Sequence, residues 1–141
     1  MLVIKGIVTS GAGLGRKYIS MNVYNELFTN ILLDKPYNGT LNIVLNDLGV
    51  DHIISKCPPH IVSDIRLDGN IYGGFYYWHC NIYKARGLGG VKEYALVIRP
   101  FRSRHPNNVV EVVSHKHLRS HMGLTDGDVV IIELYCSEEH E

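Results

Sequence analysis

The chain has 141 residues, of which 45% are hydrophobic and 20% are charged, and its formal net charge at pH 7 is zero. This length is enough for one domain with a core and too short for two ordinary domains, and the composition excludes a disordered chain. Zero net charge argues against a nucleic-acid partner, because affinity for a phosphate backbone comes mainly from excess Lys and Arg. We expect one domain over residues 1–136 and a frayed tail over residues 137–141.

The N-terminus and the cysteines indicate the cellular compartment in which we expect the protein to lie. The start MLVIKGIVTS lacks the cationic beginning and long apolar stretch of a signal peptide, and no apolar run reaches the roughly 18–20 residues that cross a bilayer. Cys57, Cys80 and Cys136 are far apart and form no CxxC pair. Disulfide frameworks and thiolate zinc sites both use paired spacings, so we expect free buried thiols in a reducing compartment. A cytoplasmic protein without a membrane partner is the expectation.

The first elements in chain order are a strand, a loop and a helix. LVIKGIV, at residues 2–8, is short and β-branched, which indicates a strand. After a glycine-rich loop, KYIS at residues 17–20 is compatible with a return to extended structure. NVYNELFTNILLD, at residues 22–34, has apolar residues at helical spacing, with Asn22 as the candidate cap and Pro36 as the stop.

The rest of the chain is dominated by predicted strands. They are TLNIVL (40–45), DHIIS (51–55), HIVSDIRL (60–67), YGGFYYWHCNIY (72–83), EYALVIRP (93–100), NVVEVVS (108–114) and DVVIIELYC (128–136). HKHLRSHMG, between the last two, is predicted to form a short helix that Ser114 caps and Gly123 ends. Many short strands without an alternating strand–helix pattern favour a closed or nearly closed β-barrel over a doubly wound sheet.

The glycine-rich loop SGAGLGRK, at residues 10–17, is the first candidate binding segment. It matches neither the P-loop nor the dinucleotide fingerprint, in which Arg16 would take the place of the third glycine. Alternate glycines would still allow successive backbone N–H groups to face an anion, and Arg16 and Lys17 could neutralise phosphate. From this stretch alone, a slack turn between strands is an equal alternative.

PYNGTLN, at residues 36–42, is the second candidate segment. If a strand starts at Thr40, the side chains of Thr40 and Asn42 project from one face. A hydroxyl and an amide oxygen are hard, neutral ligands that suit Mg²⁺ better than zinc, and a polyphosphate would supply the missing negative charge. The alternative is that both residues only finish a turn.

The third candidate segment lies near the C-terminus. His117 and His121 are one helical turn apart, but no carboxylate or cysteine is placed to complete a zinc site. Lys116, His117 and Arg119 lie near the predicted helix start, where free N–H groups and cations favour phosphate. Glu111 interrupts the apolar run VVEVVS, so its carboxylate either faces solvent or binds the donor groups of a ligand.

These segments, in this order, resemble the archaeal CTP-dependent riboflavin kinases. That family has an SGxGxG loop, a PYxGTLN segment, a Gly-rich stretch, an RPxRTxY-like segment, a Glu in a strand and an LRxxxGLxDGD ending. The counterparts here are Ser10–Gly15, Pro36–Asn42, Gly73–Phe75, Arg99–His105, Glu111 and Leu118–Asp128. The resemblance therefore spans nearly the whole chain, and GTLN and LRSHMGLTDGD are its most specific parts.

The resemblance implies a mainly β fold, a six-stranded cradle-loop barrel with a few short helices. It also implies transfer of the γ-phosphate of CTP to the 5′-hydroxyl of riboflavin, giving FMN and CDP. By position, Thr40 and Asn42 would ligate Mg²⁺, while Ser103 and Glu111 would contact the flavin. The nucleotide site would comprise Gly11, Ala12, Gly13, Leu14, Gly15, Arg16, Lys116, His117, Leu118 and Arg119. Glu111 is the one catalytic candidate, with flavin orientation as its favoured role, and a monomer is expected.

Two other functions stay open from the residues alone. One is a binding module that holds a flavin or a nucleotide without catalysis, because small barrels also serve as binding domains. The other is a kinase of a different small alcohol, since the same metal and phosphate ligands would serve it equally well. Base recognition can use backbone groups, so residue chemistry does not separate CTP from ATP.

Overall fold

The computed structural model describes residues 1–11, 14–85 and 91–137, apart from the side chain of Leu14. The strands are β1 (Leu2–Thr9), β2 (Leu41–Leu45), β3 (His60–Val62), β4 (Ile65–Leu67), β5 (Asn70–Tyr72), β6 (Phe75–Lys84), β7 (Glu93–Pro100), β8 (Val109–Val113) and β9 (Val129–Tyr135). The helices are α1 (Leu14–Ile19), α2 (Asn22–Leu32), α3 (Val50–Lys56) and α4 (Leu118–Met122). No helix in these described ranges is long and apolar enough to cross a membrane. The last four residues of the predicted tail lie outside the described residues.

Six antiparallel strands close into a barrel in the order β6, β7, β8, β2, β1 and β9. The barrel closes because β6 pairs with β7 along one edge and with β9 along the other. The ten residues of β6 exceed what β9 covers, so its first residues, Phe75–Tyr77, pair with β3 instead. The predicted mainly β fold with a six-stranded barrel is confirmed.

The barrel strands are apolar on both faces because helices cover part of the outer surface. In β7, Ala95 and Val97 belong to the core inside the barrel. Leu96 and Ile98 alternate with them and pack outside, against a second core that includes Phe28 of α2. Burial on both sides explains why these strands read as continuous apolar runs rather than as an alternating pattern.

Two predicted extended segments are helical. KYIS lies largely in α1, where Ile19 is buried in the outer core beside α2. DHIIS lies in α3, because Val50 and Ile53, three positions apart, are both buried against the barrel. The contact of one helical face with the barrel outweighs the strand preference of the isoleucine pair.

The predicted N-caps of α2 and α4 are wrong, whereas Gly123 ends α4 as predicted. The residues at the cap positions of α2 and α4 are Met21 and His117, and neither makes a side-chain cap hydrogen bond. Asn22 is the first residue of α2 itself. The Ser114 hydroxyl accepts a hydrogen bond from the Lys116 backbone N–H at 3.1 Å, which stabilises the turn before α4.

The prediction of free cysteines is wrong for two of the three. Cys57, at the end of α3, forms a disulfide with Cys136, which follows β9. A backbone hydrogen bond of 2.8 Å from Ser137 to Pro58 brings these two chain segments together. Cys80 is a free buried thiol, as predicted, and burial raises its pKa well above the usual range.

Candidate functional site

A cavity of about 420 Å³ opens beside the start of β2. Its wall includes these residues of the predicted nucleotide and metal sites: Gly11, Gly15, Arg16, Thr40, Asn42, Lys116, His117, Leu118 and Arg119. Ala12, Gly13 and the side chain of Leu14, which were predicted to bind nucleotide, lie outside the described part of the chain. The fold thus brings the three candidate segments together at one cavity.

Strand register explains how the polar residues of this cavity meet. Asn42 of β2 is directly opposite Thr9 of β1 on one side and Glu111 of β8 on the other. Leu41 and Val112, the adjacent residues, belong to the core inside the barrel. Because side chains alternate along a strand, Asn42 and Glu111 face outward from the barrel, and they lie on the same face of the sheet.

The amide oxygen of Asn42 is the clearest sign of a ligand site. Asn42 is 9% exposed, and its Oδ1 is a buried oxygen without a hydrogen-bond partner in the described structure. Leaving such an atom unpaired costs about 1–3 kcal/mol, so it calls for a functional explanation. Thr40, two residues earlier and in the same cavity, adds a hydroxyl. This pair of hard oxygen ligands fits a magnesium ion.

The glycine segment packs directly against these two residues. A Cβ atom on residue 11 would lie 1.8 Å from the amide nitrogen of Asn42. A Cβ atom on residue 15 would lie 2.1 Å from the hydroxyl oxygen of Thr40. Any larger residue at either position would displace its neighbour, which explains why the segment needs glycine there. Such close packing is not what the slack-turn alternative predicts.

Glu111 is buried, which excludes the alternative in which its carboxylate faces solvent. Its Oε1 accepts a hydrogen bond from the Thr40 hydroxyl at 2.8 Å and one from the Tyr18 hydroxyl at 3.3 Å. Its Oε2 lies 3.8 Å from Nε2 of His105. Burial and the negative charge of Glu111 raise the pKa of Tyr18 well above its usual range. Sequence reasoning missed Tyr18 because only the folded chain brings α1 to β8.

Ser103 lies in the loop between β7 and β8, away from the cavity wall. Its hydroxyl oxygen accepts a hydrogen bond from the backbone N–H of His105 at 3.2 Å, and His105 faces Glu111. Arg99 supports this loop by donating to the carbonyls of His105, Pro106 and Val109 at 2.8–3.0 Å. The structure therefore places Ser103 on the Glu111 side of the site rather than on the glycine side.

Arg119, a cation in the cavity wall, has defined partners that the sequence did not indicate. Arg119 donates to the Thr9 carbonyl at 3.2 Å and to Asp126 at 2.7 Å. Ser10, at the start of the glycine segment, donates to the other oxygen of Asp126 at 2.5 Å. These hydrogen bonds, that from Ser10 first, lower the pKa of Asp126. Asp126 therefore ties the glycine segment to α4.

Lys116 and His121 converge on Glu93, which is buried at the start of β7. The Lys116 ammonium lies 3.1 Å from one oxygen of Glu93, and Nε2 of His121 lies 2.9 Å from the other. Burial alone would raise the pKa of Glu93, but the hydrogen bonds from Lys116 and His121 outweigh it and lower the pKa. In the described chain, no group of three or more His, Cys, Asp or Glu side chains could hold a metal ion.

Tyr37 and His117 form an aromatic pair in the cavity wall. Their ring centroids are 4.5 Å apart with an interplanar angle of 21°, so the rings are stacked. Nδ1 of His117 is 2.7 Å from the Ser120 hydroxyl, which orients the imidazole. Sequence reasoning singled out His117 but missed Tyr37. A flat ring pair in a cavity wall is suited to stacking against a nucleobase.

Comparisons with known proteins identify the family of the chain. A family model for CTP-dependent riboflavin kinases, described as domain of unknown function DUF120, matches residues 8–134. The riboflavin kinase of Saccharolobus solfataricus is 33% identical over 135 residues, covering 94% of this chain and 73% of the relative. That of Sulfurisphaera tokodaii is 35% identical over 138 residues, covering 96% of each chain. The riboflavin kinase of Staphylothermus marinus is 34% identical over 139 residues, with 97% and 95% covered. The chain therefore belongs to the family of CTP-dependent riboflavin kinases.

Proposed function

We propose that this protein is a riboflavin kinase that transfers the γ-phosphate of CTP to the 5′-hydroxyl of riboflavin, giving FMN and CDP. The observation that carries the proposal is the unpaired amide oxygen of Asn42, which lies where the glycine segment, Thr40 and the α4 segment meet around one cavity. Membership of the riboflavin kinase family supports the flavin as acceptor. The name of the family supports CTP as donor.

The nucleotide would lie along the cavity, with its phosphates against the glycine segment. Close packing of Gly11 and Gly15 onto Asn42 and Thr40 lets backbone groups approach a phosphate without obstruction by side chains. Arg16 lines the cavity and offers a charged, bidentate donor to phosphate oxygens. The stacked Tyr37–His117 pair offers a surface for the base.

Thr40 and Asn42 would hold Mg²⁺ through Oγ1 and Oδ1. A magnesium ion bound there would neutralise charge on the polyphosphate as the phosphoryl group moves. The protein's own part is to present two oxygens on one face of β2 and to hold Thr40 through its hydrogen bond to Glu111.

Ser103 and Glu111 would orient the acceptor. Oε2 of Glu111 is the carboxylate oxygen that neither Thr40 nor Tyr18 uses, so it is available to accept a hydrogen bond from a hydroxyl group of the ribityl chain. The 5′ oxygen then attacks the γ-phosphorus, a new P–O bond forms, and the bond to the β-phosphate oxygen breaks to release CDP. The hydroxyl proton leaves late in this step, to an oxygen of the transferred phosphoryl group. A loose transition state makes little demand on a base, so orientation of the hydroxyl is the main task of Glu111.

The test is to incubate the purified protein with riboflavin, Mg²⁺ and either CTP, UTP, ATP or GTP, and to separate FMN by chromatography. We expect FMN and CDP in equal amounts with CTP, and much less FMN with the other nucleotides. Absence of FMN with every nucleotide would exclude the kinase, and flavin binding without turnover would favour the binding module. A second panel that replaces riboflavin with other small alcohols tests the remaining alternative.

A further inference from the structure

We propose that Tyr18 is a positioning residue for the metal site, and that it acts by fixing the Glu111 carboxylate as the outer hydrogen-bond partner of Thr40. The inference rests on the proposed function, because it takes Thr40 as a metal ligand. It adds a role to Glu111 beyond contact with the flavin, and it assigns a role to a residue outside every motif of the sequence.

The first step concerns the hydroxyl group of Thr40. It donates its single hydrogen to Oε1 of Glu111 at 2.8 Å. Its lone pairs must then point away from the carboxylate, and they are free for a cation. A carboxylate that accepts a hydrogen bond from a metal ligand fixes the orientation of that ligand and strengthens its hold on the metal. Glu111 has this relation to Thr40.

The second step concerns what holds Glu111. The Tyr18 hydroxyl donates to the same Oε1 at 3.3 Å, while Oε2 faces His105 at 3.8 Å. Because Oε1 accepts both hydrogen bonds, it is the oxygen that faces Thr40 and the proposed metal. Oε2 is then the oxygen that faces the proposed binding site of riboflavin. A carboxylate with this asymmetry cannot rotate freely, so the orientation of Thr40 depends on Tyr18 as well as on Glu111.

The third step concerns the position of Tyr18. It lies in α1, which begins at Leu14 within the glycine segment, and its ring packs edge-on against Tyr24 at 5.6 Å between centroids. Tyr18 therefore connects the segment proposed to bind phosphates with the carboxylate proposed to orient the flavin. Tyr24 is a natural comparison, because its hydroxyl donates to the Gly73 carbonyl at 2.8 Å instead of to Glu111.

The experiment compares the variants Tyr18→Phe and Tyr24→Phe, each of which keeps its ring and loses one hydroxyl. Mn²⁺, as a paramagnetic substitute for Mg²⁺, is titrated in the presence of CDP and followed by electron paramagnetic resonance, which needs no turnover. We expect Tyr18→Phe to weaken Mn²⁺ binding about three- to tenfold, as expected for a lost hydrogen bond in an outer shell. Tyr24→Phe should bind Mn²⁺ like the wild type.

A double-mutant cycle shows whether Tyr18 acts through Glu111. Glu111→Gln alone should weaken Mn²⁺ binding, and Tyr18→Phe in that background should weaken it little further. Wild-type Mn²⁺ affinity in Tyr18→Phe or in Glu111→Gln, or an equal loss in both backgrounds, would overturn the inference. If Tyr18→Phe does not fold, Glu111→Gln alone still decides the link to Thr40. Failure of the wild type to bind Mn²⁺ or to form FMN would count against the proposed function instead.

Discussion

Gly11 lies so close to Asn42 that a Cβ atom on residue 11 would stand 1.8 Å from the Asn42 amide nitrogen. Gly15 has the same relation to the Thr40 hydroxyl, at 2.1 Å. The two glycines therefore lie over the two proposed metal ligands, which brings the proposed phosphate-binding backbone and the proposed cation site into contact. A phosphate oxygen that binds the glycine segment would be next to a cation on β2.

The first prediction is that Gly11→Ala impairs catalysis through Asn42. The added methyl group must displace the Asn42 side chain, which is only 9% exposed. We expect turnover with CTP to fall at least about tenfold, as for other disturbed metal ligands, with a higher Mg²⁺ requirement. Steady-state FMN formation at varied CTP and Mg²⁺ measures both effects.

The double variant Gly11→Ala/Asn42→Ala is the control for that prediction. Removal of the Asn42 amide makes room for the methyl group, so the melting temperature of the double variant should return to that of Asn42→Ala alone. Turnover should stay low, because the ligand is gone. A Gly11→Ala enzyme with the Mg²⁺ requirement and turnover of the wild type would contradict the close approach seen here.

The parts of the fold that were predictable are those set by local pattern. Helix α2 was predicted because apolar residues such as Leu27 and Ile31 recur at helical spacing, although the fully buried face is the neighbouring one that includes Phe28. Strands β1, β8 and β9 were predicted because they are short β-branched runs bounded by turn residues. Thr40 and Asn42 could be paired because a strand places alternate residues on one face.

What could not be predicted depends on contacts between distant segments. The segment of α3 was predicted to be a strand because its isoleucine pair favours strands locally. It is a helix because the helical conformation buries Val50 and Ile53 together against the barrel. The disulfide joins cysteines 79 positions apart, a separation without any local signal. The contact of Tyr18 with Glu111 spans 93 positions and depends on how α1 lies on the outer face of β8.

The second prediction is that Asn42→Ala loses the metal without losing stability. Oδ1 of Asn42 is buried and unpaired, so its removal relieves a destabilising group, which offsets the smaller packing of alanine. We expect a melting temperature at or above that of the wild type, together with loss of Mn²⁺ binding in the presence of CDP. Calorimetric melting and the Mn²⁺ titration give the two quantities.

Asn81→Ala is the matched variant for this second prediction. The Asn81 amide is satisfied, because it donates to the Tyr135 hydroxyl at 2.8 Å on the outer face of β6. Asn81→Ala should leave Mn²⁺ affinity unchanged. If Asn42→Ala melted well below the wild type and still bound Mn²⁺ normally, its amide oxygen would have a structural role instead of a metal-binding one.

The third prediction concerns the disulfide between Cys57 and Cys136. It closes a loop across 79 positions, for which the chain-entropy estimate is about 4.5 kcal/mol, so reduction should lower the melting temperature by roughly 15 °C. Neither cysteine lines the cavity, so the KM for CTP should not change. Differential scanning calorimetry with and without a reductant, followed by the FMN assay, measures both.

Thiol counting checks the same cysteines independently. Native protein should react with no thiol reagent, since Cys80 is buried and the other two are paired. Unfolding without a reductant should expose one thiol, and unfolding after reduction should expose three. Three reactive thiols after unfolding without a reductant would show that the disulfide is absent in solution.

The fourth prediction concerns Asp64, which connects the loop of Ser103 to the backbone of Gly74. The Asp64 carboxylate accepts hydrogen bonds from Arg102 at 2.8 and 3.0 Å and from the Gly74 N–H at 2.8 Å. These bonds, those of Arg102 first, lower the pKa of Asp64 from 3.8 to about 2. Because the pKa is lower in the folded state, Asp64 stabilises the protein above about pH 4, and this contribution is lost as the pH falls towards 2.

Asp64→Asn should therefore melt below the wild type at neutral pH, by an amount that is constant down to about pH 5 and shrinks between about pH 4 and 2. Since Arg102 precedes Ser103, the variant should also bind riboflavin more weakly at pH 7, whereas its affinity for CDP should not change. Titration of riboflavin fluorescence measures the affinity for riboflavin, and titration calorimetry measures the affinity for CDP. Asp68→Asn, in the exposed turn between β4 and β5, is the matched loss of one surface carboxylate and should change neither affinity. A melting difference between Asp64→Asn and wild type that persisted undiminished to pH 2 would show that the contribution does not depend on the charge of Asp64.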